Sequence, residues 1–198
     1  MERVKENWEW IHSWCEDVLK TDKPRVLLVG DSITHNYQEI VREKLKDICY
    51  VDYVATAYAI DSKMYNDLVK NFVLDRDYVL IHFNNGLHGI HISKRSYKAK
   101  LTKLLAKFPS SAKLILALTT CVYLEGNKKW DKAWMKRVKE RNEVMREISA
   151  EKGIVLDDLY TRSLEIPKDK RYIDGTHYEV SGYEMLADTV ANCIRENL

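Results

Sequence analysis

The chain has 198 residues, 45% of them hydrophobic and 31% charged, which is enough apolar side chain for a substantial core and length for one domain, 1–198. Its 32 basic and 30 acidic residues leave a formal charge of only +2, which argues against a nucleic-acid or membrane-surface partner. The four cysteines, Cys15, Cys49, Cys121 and Cys193, are widely dispersed without Cys-x-x-Cys spacing and read as free thiols. Charges scattered through residues 1–20 exclude a signal peptide or membrane span there, so a cytoplasmic location is the default expectation.

Residues 1–20 carry apolar side chains at Val4, Trp8, Ile11 and Val18, a spacing that predicts an extra N-terminal amphipathic helix. Trp8, Trp10 and Trp14 pack inward on that reading, or cover a partner surface. An apolar run at 25–29 predicts a strand, and it ends in Gly30-Asp31-Ser32-Ile33-Thr34. The amphipathic segment that follows (Ile33, Tyr37, Ile40, Val41, Leu45) puts Ser32 at a helix N-terminus, where unpaired N–H groups attract an anion. Further strands are predicted at 48–54, 78–83, 113–118 and 154–156, with helical spacing between them. The longest helix is predicted over 132–152, ended by Gly153, and another over 178–197 closes the chain. Lysines in 94–107 and 128–139 are interleaved with apolar residues and read as solvated helix faces. Such alternation argues a parallel sheet with helices on both faces, whose ligands sit beyond the carboxyl ends of the strands. Ser32, residues 57–59, Asn84 and residues 119–130 all fall at that rim.

Near the other end of the chain, Asp174-Gly175-Thr176-His177 sets a carboxylate three residues before an imidazole. A serine hydroxyl becomes a good nucleophile when a base takes its proton and a carboxylate orients that base, so Ser32, His177 and Asp174 fill those roles. A structural N-cap is the plain alternative for Ser32. The order Ser, Asp, His is that of the α/β-hydrolases, but their elbow is Gly-x-Ser-x-Gly and here Thr34 follows at the second position. Among the other histidines, His35 lies along the Ser32 helix and has no carboxylate at a matching offset. His82 sits in a strand while His88 and His91 follow it in a loop, an arrangement that does not favour a metal cluster. His88 is a residue of the pocket rim, Asp31 hydrogen-bonds within the turn that aims Ser32, and Tyr58, Tyr123, Trp130 and Trp134 form either an aromatic wall or core.

Gly-Asp-Ser-Ile-Thr near the start, an asparagine turn after a central strand and Asp-x-x-His near the end together make the chain resemble the SGNH (GDSL-type) hydrolases over about residues 26–186. The string Phe83-Asn84-Asn85-Gly86-Leu87-His88-Gly89 looks like that of a subgroup of small SGNH esterases. The resemblance implies a flavodoxin-like α/β/α sandwich with a five-stranded parallel sheet in the order 2-1-3-4-5. It also implies a serine esterase needing no cofactor, acting on a small-molecule or saccharide ester. Carried onto this sequence, the oxyanion donors are Ser32 N–H, the Asn84 side chain and a backbone N–H of Ala57, Tyr58 or Ala59, and substrate contacts fall to Asp31, Asn85, His88 and Tyr123. Where the family usually reads Gly-x-Asn-Asp, this chain has His82 and Asn85 in place of the Gly and the Asp, and the second block lacks its glycine. A short acyl group, acetyl foremost, on a polar carrier such as a carbohydrate is the expected substrate. The rivals are a ligand-binding protein of the same fold without turnover, and an acyltransferase or thioesterase on the same site. A phosphoacceptor receiver would need an aspartate where the third strand ends in Asn84-Asn85.

Overall fold

Alternation along the central strand sets the layers. In β2 (Arg25–Gly30) all residues are buried, with Val26 and Leu28 turned to one face of the sheet and Leu27 and Val29 to the other. The computed structural model describes residues 4–123, 129–172 and 174–198, and only the backbone of 129–131.

β2 pairs in parallel with β3 (Tyr50–Thr56) on one side and β4 (Leu80–Phe83) on the other, and β5 (Lys113–Ala117) and β6 (Val155–Asp157) extend the sheet in parallel. These five strands follow the order expected from the sequence. One face is covered by α1 (Ser32–Leu45) and α6 (Val180–Asn197), whose Tyr37, Val41, Leu186 and Val190 pack on Val26 and Leu28. The other face is covered by α2 (Lys63–Asp75), α3 (Lys94–Leu105) and α4 (Lys129–Lys152), with Val69, Leu101 and Val144 against Leu27 and Val29. A short α5 (Leu159–Glu165) and a single 3-10 turn lead into α6.

Two expectations need correction. The sheet has six strands in the order β1-β3-β2-β4-β5-β6, and the sixth, β1 (Ile11–Trp14), runs antiparallel to β3 with Ile11 opposite Thr56. The same residues are expected in an N-terminal helix, which the described residues do not form. The reason is tertiary. β3 is buried along its whole length, and its outer edge would otherwise present unpaired N–H and C=O groups. β1 pairs with that edge, and Glu16 reinforces the junction, its Oε2 accepting from Val51 N–H (3.0 Å) and its N–H donating to Asp52 Oδ1 (2.9 Å). The supposed helical stripe is not buried: Val4, Trp8, Ile11 and Val18 are all exposed.

Candidate active site

Gly30 ends β2 where a Cβ would lie 1.9 Å from Thr34 Oγ1, so only glycine lets the chain turn this tightly into α1. Asp31 caps the helix, its Oδ1 accepting from Ile33 N–H at 3.0 Å, and Ser32 becomes the first helical residue, with its N–H among the donors that have no intrahelical acceptor. Asp31 is buried with Oδ2 unpartnered, and burial pushes its carboxyl up despite the Ile33 bond and the nearby His88 and His177 rings.

The loop before α6 brings the distant pair to this point. His177 Nε2 lies 2.7 Å from Ser32 Oγ, and His177 Nδ1 lies 2.6 Å from Asp174 Oδ2. An Nδ1–H bonded to the carboxylate leaves the Nε2 lone pair facing the hydroxyl. Asp174 Oδ1 accepts from the N–H groups of Thr176 and His177, each at 2.9 Å, which locks the carboxylate on its own turn. Partial burial acts to raise the Asp174 carboxyl, but the bonds from His177 and Thr176 outweigh it and hold the group below its ordinary value. Gly175, at φ +78°, makes that turn possible, and its carbonyl accepts from Tyr123 N–H at 2.7 Å.

Asn84 is held by the neighbouring strand ends. Its Nδ2 donates to Ala117 O at 2.7 Å and faces Thr119 Oγ1 at 3.4 Å, and its N–H donates to Val29 O. Its side-chain amide and its backbone N–H therefore tie the end of β4 to the ends of β5 and β2. At Asn85, Tyr97 O–H donates to the backbone carbonyl and the side chain lies against the buried Tyr65 hydroxyl, while its buried Oδ1 has no hydrogen-bond partner. In the second block, Ala57 N–H reaches Trp10 O at 3.3 Å and Tyr58 N–H reaches Thr56 Oγ1 at 3.1 Å, so both are engaged within the protein. Ala59 is buried against the α2 side of the sheet.

A cavity of about 400 Å³ opens over Ser32 and His177, walled by Ala57, His88, Ile90 and Trp134 and by Lys5, Glu6, Asn7, Trp8 and Trp10 of the N-terminal segment. His88 thus takes its place at the rim, both ring nitrogens without a hydrogen bond. Trp134 is an aromatic wall, whereas Tyr58 packs on the opposite face of the sheet and the Trp130 side chain lies outside the described residues. Tyr123 does not line the cavity. Its hydroxyl donates to Ser163 O and its ring lies 3.6 Å from the Arg171 guanidinium carbon, so it supports the Asp174 turn instead. His35 bonds Tyr53 (3.1 Å) and stacks on His12, and His82 Nε2 pairs with buried Asp157 at 2.9 Å beneath the sheet. Among the described residues no group of three His, Cys, Asp or Glu side chains is arranged to hold a metal.

Two parts of the site have no counterpart among the sequence expectations, the N-terminal segment and Arg141. That side chain, 1% exposed, donates from α4 to Gly86 O (2.6 Å), His88 O (2.7 Å) and Gly89 O, and so shapes the loop carrying Asn85 and His88. Three neighbouring tryptophans were the only trace of the first, and a contact spanning some fifty residues left no trace of the second.

No known family profile and no curated protein sequence matches the chain. Solved structures do. A lipase/acylhydrolase from Enterococcus faecalis superposes with a TM-score of 0.72 at 18% identity, covering 88% of this chain and 97% of that one. A catalytic mutant of an acetylxylan esterase from Geobacillus stearothermophilus gives 0.69 at 16% identity, covering 86% and 94%. A member of the lipolytic G-D-S-L family from Veillonella parvula gives 0.67 at 20% identity, covering 85% and 96%. The fold of this chain is the fold of these proteins.

Proposed function

We propose that this chain, folded as the G-D-S-L lipases and acetylxylan esterases are, is itself a serine esterase. The observation that carries the reading is the continuous hydrogen-bonded line Asp174, His177, Ser32, with links of 2.6 and 2.7 Å, opening onto a cavity. Ser32 Oγ attacks the ester carbonyl as His177 Nε2 takes its proton, and Asp174 holds the imidazole in the tautomer that can accept it. His177 then protonates the departing alcohol, and water, activated by the same ring, releases the acid from the acyl-serine. Ser32 N–H and the Asn85 side-chain amide are the donors we assign to the developing oxyanion, in place of Asn84. Ala57 N–H can join them, since its 3.3 Å bond to Trp10 O is long enough for a charged oxygen to displace. A short acyl group, acetyl foremost, on a polar carrier such as a carbohydrate suits a cleft of this size with both indole and charged walls.

A fluorophosphonate probe should label the protein once, and Ser32→Ala should abolish labelling along with hydrolysis of acetyl esters. Undiminished labelling of the variant would place the nucleophile elsewhere. The engagement of Tyr58 N–H within the protein favours one second reading, a ligand-binding protein without turnover. Failure to hydrolyse any ester of a panel spanning aryl, alkyl and sugar acetates would decide for it.

A further inference from the structure

Residues 5–10 cross the cleft as a strap tied down at both ends. Glu6 Oε1 accepts from Gly89 N–H at 2.6 Å and stands 3.9 Å from His88 Nδ1, which joins the strap to the loop after β4. Trp10 O accepts from Thr56 Oγ1 at 2.7 Å, which joins it to the end of β3. Between the two ties, Trp8 lines the cavity over Ser32 yet remains 82% exposed. An indole held at a cavity mouth, with its faces uncovered by the protein, is a surface on which a flat-faced ligand gains both area burial and stacking. An ester seated with its carbonyl at Ser32 must send one arm out through that mouth, and a small acyl group is too short to be that arm.

Resting on the esterase reading, we infer that the strap is a specificity element in which Trp8 is the platform for the ring of the leaving alcohol, selecting esters of ring-shaped polyhydroxy alcohols over those of open-chain alcohols. The apolar C–H face of a pyranose lies on the indole, its hydroxyls stay in water at the rim, and Glu6 keeps the platform in register with Ser32. Trp8 is a binding residue and Glu6 a positioning residue. Neither takes part in bond making.

The test compares kcat/KM for an acetylated methyl xylopyranoside with that for ethyl acetate in the wild type, Trp8→Ala and Glu6→Ala. The ratio of the two should fall about tenfold in Trp8→Ala, mostly through KM for the sugar ester, and in the same direction in Glu6→Ala. A ratio unchanged in Trp8→Ala overturns the inference. So does a change confined to acyl length, read as acetate against butyrate of one alcohol, because the strap would then face the acyl group. If the wild type hydrolyses neither ester, it is the esterase reading that fails, and the platform is tested by calorimetric titration with methyl xylopyranoside alone. Binding that weakens in Trp8→Ala supports it, and no binding, or binding indifferent to the substitution, overturns it.

Discussion

On the proposed reading, two adjacent asparagines divide structure from chemistry at the end of β4. Asn84 Nδ2 holds Ala117 O, so Asn84→Ala should cost about 1–3 kcal/mol of stability by leaving a buried carbonyl unpaired, read as a shifted urea midpoint. Asn85→Ala should instead lower kcat by about a hundredfold to a thousandfold with KM within a fewfold, measured on any ester the protein turns over. The sequence showed that an asparagine turn stands at this rim. It did not show how the two side chains divide between neighbours, because a shift of one position at a strand end reverses the face a side chain occupies. The Asp174/His177 spacing was legible for the opposite reason: a carboxylate and a ring three residues apart meet through their own turn. Asp31 carries a pH signature. With its carboxyl pushed up by burial, the folded state holds the proton more tightly than the unfolded one, so the stabilising contribution is present at low pH and lost as pH rises through the raised value. Asp31→Asn keeps an oxygen for Ile33 N–H and removes the buried charge. Its Tm should therefore gain on the wild type from about pH 4 upward, and thermal melts at pH 4, 6 and 8 showing a constant difference would contradict this.

At the scale of elements, the parallel strands were readable because strands buried on both faces are short continuous apolar runs, as Val26 to Val29 are. β1 was not readable, because Val4, Trp8, Ile11 and Val18 happen to fall at helical spacing while the deciding force was the open edge of β3, a partner some forty residues away. The loop after β4 depends on α4 in the same nonlocal way. Arg141 satisfies three of its carbonyls and lies over the Tyr97 ring at 5.1 Å, and burial lowers the pKa of its guanidinium. Arg141→Met should destabilise the fold by on the order of 2–3 kcal/mol in urea unfolding. It should also lower kcat, since the loop that carries Asn85 loses its anchor.

Over the whole molecule, both apolar layers are built on the same sheet, and Ser32 and His177 meet across 145 residues of sequence. The site therefore exists only when β2, the sheet and the α1–α6 pair are all in place. Loss of fluorophosphonate labelling and loss of far-UV ellipticity should coincide along a urea series, and labelling that disappears at lower urea would mean that the cleft opens before the fold does. The placement of the indoles bears on how such experiments can be watched. Trp8, Trp10 and Trp134 line the cleft and Trp14 stands on β1 beside the Arg42 guanidinium, so none of these four is a fully buried core residue. Ultraviolet emission from Trp8, Trp10 and Trp134 is consequently a light source mounted around the cleft mouth: its colour and intensity report what enters there and how the strap sits.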